Sequence, residues 1–63
     1  MQNMIIAGRI YEVVSTQNAE QIADSHPNLF KMGLVEITML RGKRGGHRAL
    51  YRQSNGNTWS EAI

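Results

Sequence analysis

The stretch LVEITMLRGKRGGHRALYRQ, residues Leu34 to Gln53, decides how this chain folds. Apolar and polar side chains alternate from Leu34 to Arg41, and this period of two predicts a β-strand with one buried face. His47 to Gln53 has an extended character as well. The glycines between the two runs disfavour a helix and permit positive φ, so the stretch predicts a β-hairpin.

The parity of the side chains also predicts a register for this hairpin. We expect its tip at Arg44, Gly45 and Gly46. The facing pairs are then Lys43 with His47, Met39 with Tyr51, and Leu40 with Leu50. Lys43 would face a histidine that can also carry a positive charge, and facing like charges destabilise a hairpin. An anionic partner would relieve this repulsion.

The two faces of the predicted hairpin differ in character. One is apolar and forms the expected core: Val35, Ile37, Met39, Ala49 and Tyr51. The other combines apolar and charged side chains: Glu36, Thr38, Leu40, Arg48, Leu50 and Arg52. A two-residue turn at Asn55-Gly56 would place Trp59 across from Arg52 on this second face, as a cation–π pair. The second face is either covered by the helix and the arginine stems or a docking surface.

The first half of the chain predicts one strand and one short helix. Met4 to Val14 is apolar on both parities, which indicates a strand covered on both faces, with a bend or bulge at Gly8. Asn18 and Gln21 have the spacing of a helix cap, and Pro27 ends the helix that follows. Asn28 to Met32 forms either one further turn, closed by Gly33, or an extended lead into the next strand.

With Thr58 to Ile63 as a last edge strand, the order is β-α-β-β-β. This predicts a small α+β domain over residues 1–63, with an antiparallel sheet or a small, partly open barrel and one short helix. A chain of 63 residues has a limited core, and without cysteine it has no disulfide to support it. Association into a homo-oligomer is the remaining common way to stabilise so small a domain.

Composition also bears on where the chain is found. No apolar run is long enough for a membrane span, and the first residues, MQNMIIAGRIYE, lack the basic region and the long apolar run of a signal peptide. Together with the absence of cysteine, these features predict a cytoplasmic protein.

The charges are distributed unevenly along the chain. Residues 41–52 contain five Lys or Arg and no acid, whereas the rest of the chain has two basic residues and five acids, a balance of −3. The protein is therefore predicted to be a mildly acidic body with one basic arm. Such asymmetry is informative about partners.

The basic arm predicts binding of DNA or RNA through the phosphate backbone. Crowded cations gain from releasing counterions, and glycines let the backbone approach phosphate oxygens. Aromatic residues beside them provide stacking groups. The candidate site consists of Arg41, Lys43, Arg44, His47, Arg48 and Arg52 for phosphate, with Tyr51 and Trp59 for bases.

Catalytic and cofactor chemistry has little support in the sequence. Asp24-Ser25-His26 contains the residue types of a catalytic triad, but neighbours on a short helix point in different directions. His26 and His47 lie 21 residues apart without a metal-ligand pattern, and the glycines at 42–46 lack the order of a P-loop. We therefore expect no enzymatic activity, no cofactor and no metal.

The alternative is a protein–protein module, such as a small inhibitor or regulatory subunit. It would dock a partner through a strand edge or the Leu40, Leu50 and Trp59 face, while the basic arm steers it toward an acidic protein surface. A homo-oligomer with its basic arms on a shared surface is a third arrangement. The sequence does not discriminate between DNA and RNA.

Overall fold

A computed structural model describes residues 2–63. The elements along the chain are β1 (Asn3–Ile6), β2 (Arg9–Asn18), α1 (Ala19–Ser25), α2 (Pro27–Lys31), β3 (Leu34–Gly42), β4 (His47–Gln53) and β5 (Thr58–Ala62). The five strands form one antiparallel sheet in the order β1-β2-β3-β4-β5, which curls into half a barrel. The predicted α+β class is therefore confirmed. Neither helix of the described residues has the length and apolar character needed to cross a membrane.

The prediction of a single strand from Met4 to Val14 is wrong. The chain reverses at Ala7-Gly8, and Ile6 pairs directly with Arg9. Both turn residues have positive φ, 51° and 77°, as a two-residue type I′ hairpin requires. An alanine in this left-handed backbone conformation is destabilised by roughly 1–2 kcal/mol, so the sequence Ala-Gly is a poor indicator of such a turn. β1 is consequently an edge strand.

The predicted helix boundaries are confirmed. The Asn18 side-chain oxygen accepts a hydrogen bond from the Gln21 backbone N–H at 2.9 Å, and the Gln21 side chain accepts one from the Asn18 N–H at 2.9 Å. This reciprocal cap starts α1. α1 ends before Pro27, which begins the further turn α2. Gly33, with φ 93°, then leads the chain into β3.

The register predicted for the β3–β4 hairpin is wrong by two residues. Arg41, not Lys43, faces His47, and Ile37 faces Tyr51. The tip is a three-residue loop of Lys43, Arg44 and Gly45, closed by the Gly42 N–H donating to the Gly46 oxygen at 2.9 Å. An even offset by itself moves no side chain to the other face of the sheet. The basic residue opposite His47 is therefore Arg41 instead of the predicted Lys43.

The loop between β4 and β5 is one residue longer than predicted. This smaller error has a larger effect than the two-residue error in the β3–β4 hairpin, because an odd offset exchanges the faces of the sheet. The β4–β5 loop has three residues, Ser54 to Gly56, and the Gln53 N–H donates to the Asn57 oxygen at 2.8 Å. Trp59 therefore faces Tyr51 rather than Arg52, on the other side of the sheet. The predicted cation–π pair is wrong. Instead, the Trp59 and Tyr51 rings stack with centroids 5.3 Å apart.

Both helices pack on the sheet surface that carries Ile37, which we call the helix face. The core there consists of Ile22, Leu34 and Ile37, with Leu29, Met39 and Tyr51 packed against it. A break in the pairing between Leu34 and Glu36 adds one residue to β3. This bulge puts Leu34 opposite Gln53 and into the core, although simple alternation predicts the other face.

The opposite surface, the barrel face, is also buried at its centre. Leu40 is fully buried, and Tyr11 and Thr38 are 9% and 5% exposed. Neither helix lies on this side, so their burial comes from the curl of the sheet. The predicted docking surface of Leu40, Leu50 and Trp59 is therefore wrong, because Leu40 is inaccessible and Trp59 lies on the helix face.

Side chains are buried on both faces of the sheet. We therefore expect that truncating a buried side chain on either face destabilises the whole domain. We expect Ile22→Ala and Leu40→Ala each to lower the free energy of unfolding in urea by about 2–5 kcal/mol. Met32→Ala, at a position 61% exposed, should change it by less than about 0.5 kcal/mol. A Leu40→Ala variant as stable as Met32→Ala would contradict a core on the barrel face.

Candidate nucleic-acid interface

Two turns from distant parts of the chain meet at one end of the sheet. β2 runs antiparallel to β3, so the start of β2 lies beside the end of β3, and Tyr11 pairs with Gly42. The Lys43 N–H also donates to the Ile10 carbonyl oxygen at 3.4 Å. Between the two turns lies a cleft of about 440 Å³. Its walls include Gly8, Arg9, Gly42, Lys43, Arg44 and Gly45.

The shape of this cleft depends on glycine at two positions. A Cβ on Gly42 would lie 2.5 Å from the Gly45 carbonyl oxygen, which is too close for any side chain. Gly45 has φ 96°, a conformation that other residues rarely adopt. The bare backbone that results lies beside the basic side chains of the cleft and beside Ile10 and Tyr11, which also line it.

Three cations lie at this end of the sheet, and the charge of one of them, Lys43, helps to lower the pKa of the Glu12 carboxyl. Arg9, Lys43 and Arg44 line the cleft, and none of them makes an ion pair within residues 2–63. Arg9 belongs to β2 and was not among the predicted site residues. Recognising the Ala7-Gly8 turn in the sequence would have identified Arg9 as a site residue, because a reversal of the chain there brings Arg9 beside the loop between β3 and β4.

Several predicted phosphate contacts are occupied by the protein's own groups. Arg41 donates to Glu12 at 2.7 Å, and Arg52 lies 3.5 Å from the Glu36 carboxylate. The Arg48 Nε donates to the Ser60 hydroxyl at 2.9 Å. Arg41 and Arg52 therefore present less free charge to a ligand than the sequence predicts, whereas the neutral hydroxyl on Arg48 orients that side chain without offsetting its charge.

The predicted site residues do not share one surface. Arg48 and Arg52 lie on the barrel face, and Lys43 and Arg44 occupy the loop. The remaining four lie on the helix face: Arg41, His47, Tyr51 and Trp59. The structure thus brings Lys43 and Arg44 together with Arg9, and separates Arg48 and Arg52 from the aromatic pair.

Tyr51, one member of the aromatic pair, borders a groove of about 240 Å³ on the helix face. Tyr51 forms part of its wall, together with Leu29, Ile37, Met39, Gln17 and Glu61. Burial raises the pKa of the Tyr51 hydroxyl, and the negative charge of Glu61 acts in the same direction. Tyr51 therefore stays neutral over the physiological range. The groove is an apolar surface with a few polar groups at its edges.

Comparisons with known proteins find no matching family model, no matching curated protein and no matching solved structure.

The Arg41–Glu12 pair predicts a specific pH dependence. The hydrogen bond from Arg41 lowers the pKa of the Glu12 carboxyl below its ordinary 4.5 in the folded chain. Its stabilisation is therefore present above about pH 4.5 and is lost as the pH falls through the lowered pKa. Glu12→Gln should make the loss of stability below pH 4.5 shallower, as measured by urea unfolding across pH.

Arg41→Gln provides the matched partner for this measurement. If the pair is the cause, Arg41→Gln should remove the same part of the pH dependence, and the double variant should remove no more. Additive effects of the two single changes would contradict the assignment.

Proposed function

We propose that this chain is a small, non-enzymatic nucleic-acid-binding protein that contacts the phosphate backbone at the cleft between its two glycine turns. The observation that carries the proposal is the grouping of Arg9, Lys43 and Arg44, none of which makes an ion pair in the described part of the chain. Two other arginines of the basic arm, Arg41 and Arg52, form ion pairs with Glu12 and Glu36. Positive charge that no ion pair within residues 2–63 offsets is therefore grouped at the cleft.

Phosphate is the ligand that this chemistry favours. Two guanidinium groups can each donate two parallel hydrogen bonds to phosphate oxygens, and a lysine adds a point charge. The glycine backbone permits close approach of the sugar–phosphate chain. Binding that neutralises phosphates releases counterions and weakens as salt rises.

The salt dependence follows from the number of free cations. About three phosphate contacts predict a slope of about −2 to −3 for the logarithm of the association constant against the logarithm of salt concentration. All six predicted basic residues, if every one were free, would give a steeper slope. The measured slope therefore reports how many cations the protein has already paired.

Arg44→Glu and Lys31→Glu form a matched pair for testing the cleft. Each changes the net charge from +2 to 0, but Lys31 lies on α2, outside the cleft. We expect Arg44→Glu to weaken oligonucleotide binding about tenfold and to reduce the salt slope by about 1, measured by fluorescence anisotropy at two salt concentrations. Equal losses in both variants, or binding that ignores salt, would overturn the proposal.

A cytoplasmic location, in contact with nucleic acid, is part of this proposal. It is supported by the absence of cysteine from the sequence.

A second candidate function, protein docking, is supported by a different observation. Ile5 and Ile10 face each other at the β1 edge of the sheet and are 74% and 47% exposed. An edge strand with exposed apolar side chains readily adds a strand from another chain. We propose that a second copy of this protein docks here. An acidic protein surface, drawn by the cleft, is the other partner that this reading allows.

Self-association through β1 predicts a concentration-dependent dimer. Sedimentation velocity at micromolar concentrations should show a dimer for the wild-type chain and a monomer for Ile5→Glu. Phe30→Glu, at an exposed apolar position on α2, provides the control and should remain dimeric. A wild-type chain that sediments as a monomer would reject this candidate without affecting the cleft.

A further inference from the structure

We propose that the nucleic acid bound by this protein is single-stranded, and that one unpaired base enters the groove beside Tyr51. This inference depends on the proposed function, because the cleft must first hold the phosphate backbone. It adds the class of nucleic acid and a second contact point, on the helix face.

The groove has the size and lining for one planar ring. Its volume of about 240 Å³ is smaller than the sites that hold drug-sized ligands, which span roughly 300–1,000 Å³. Leu29, Met39 and Ala49 provide apolar walls, and the Tyr51 ring provides an aromatic surface. Bases stack on aromatic side chains with little regard for sequence.

Gln17 gives the groove an unused hydrogen-bond acceptor. Its side-chain carbonyl oxygen is buried and has no hydrogen-bond partner within residues 2–63. Buried acceptors without a donor are uncommon in folded proteins. The terminal torsion of a glutamine is broad, so a rotation of the amide turns this oxygen toward the groove. Ring N–H and exocyclic amino groups of bases supply the missing donor.

Glu61, also in the wall of the groove, favours a base over a phosphate at this position. Its carboxylate repels a phosphate group but accepts a hydrogen bond from an amino group. The cations of the cleft have the opposite preference. One bound strand therefore has its phosphates at the cleft and its base at the groove.

The cleft and the groove are connected along the helix face. His47, exposed and on this face, lies next to the β3–β4 loop at one end of β4. Tyr51 lies four residues further along the same strand, about 14 Å away at the usual rise per residue. A strand that leaves the cleft can thus pass His47 and reach Tyr51. In a duplex the bases are stacked inside and would have to be flipped out first.

Trp59, the only tryptophan in the sequence, provides the readout, because its ring stacks on Tyr51. We would follow its fluorescence while adding three ligands of closely matched phosphate count: a single-stranded oligonucleotide of eight mixed-sequence nucleotides, its abasic counterpart and a four-base-pair duplex whose strands are joined by a non-nucleotide linker. We expect the base-bearing single strand to bind at least about fivefold more tightly than the abasic strand, and to be the one that changes the Trp59 emission.

Gln17→Leu tests the acceptor while keeping the groove apolar, and Gln2→Leu is its exposed control. Gln17→Leu should reduce the affinity for the base-bearing strand and leave the affinity for the abasic strand unchanged. Gln2→Leu should alter neither. Urea unfolding of Gln17→Leu checks that the variant is folded, and replacing a partnerless buried acceptor by an apolar side chain should not destabilise it.

The outcomes separate this inference from the proposed function. If none of the three ligands binds in a salt-dependent way, the proposed function fails and this inference with it. If the abasic strand or the duplex binds as tightly as the base-bearing strand and Trp59 emission is unchanged, the cleft binds phosphate but the groove takes no base. That second result overturns this inference alone.

Discussion

Strand β3 is the constraint on which the rest of the molecule depends, because both cores use its side chains. Leu34 and Ile37 point to the helix face, whereas Thr38 and Leu40 are buried on the barrel face. A strand with both faces buried must hold its register, since a slip by one residue would exchange the two sets. β2 and β4 are fixed against it on either side, and the two turns that form the cleft are fixed with them.

The sequence predicts much of this arrangement, and the errors have a common physical cause. Alternation identifies β3 and β4, and the Asn18–Gln21 spacing identifies the helix cap. Loop length is harder, because Asn55-Gly56 is equally compatible with a two-residue turn and with the three-residue loop that forms. An error of one residue exchanges faces, and this is why the position predicted for Trp59 is wrong. The register error at the β3–β4 loop was two residues, and an even offset by itself moves no side chain to the other face of the sheet.

The candidate site is less predictable than the fold, because it depends on contacts between distant segments. Counting charges along residues 41–52 finds the basic arm, but not the carboxylates that lie beside it in space. Glu12 is 29 residues from Arg41 in sequence and 2.7 Å from it in the fold. Arg9 is missed for the converse reason, since its neighbours in sequence do not suggest that it meets the β3–β4 loop. Pairing across strands decides which cations remain free.

Two energetically unfavourable features of the fold lie where the proposed ligand would bind. Ala7 holds a positive φ in the turn that flanks the cleft, and the Gln17 oxygen is buried without a partner beside the groove. In a domain of this size the net stability is only a few kcal/mol, so such features are a sizeable fraction of it. In natural proteins, strained backbone conformations and unsatisfied polar groups are concentrated at functional sites. Both features lie within reach of one strand that runs from the cleft to the groove.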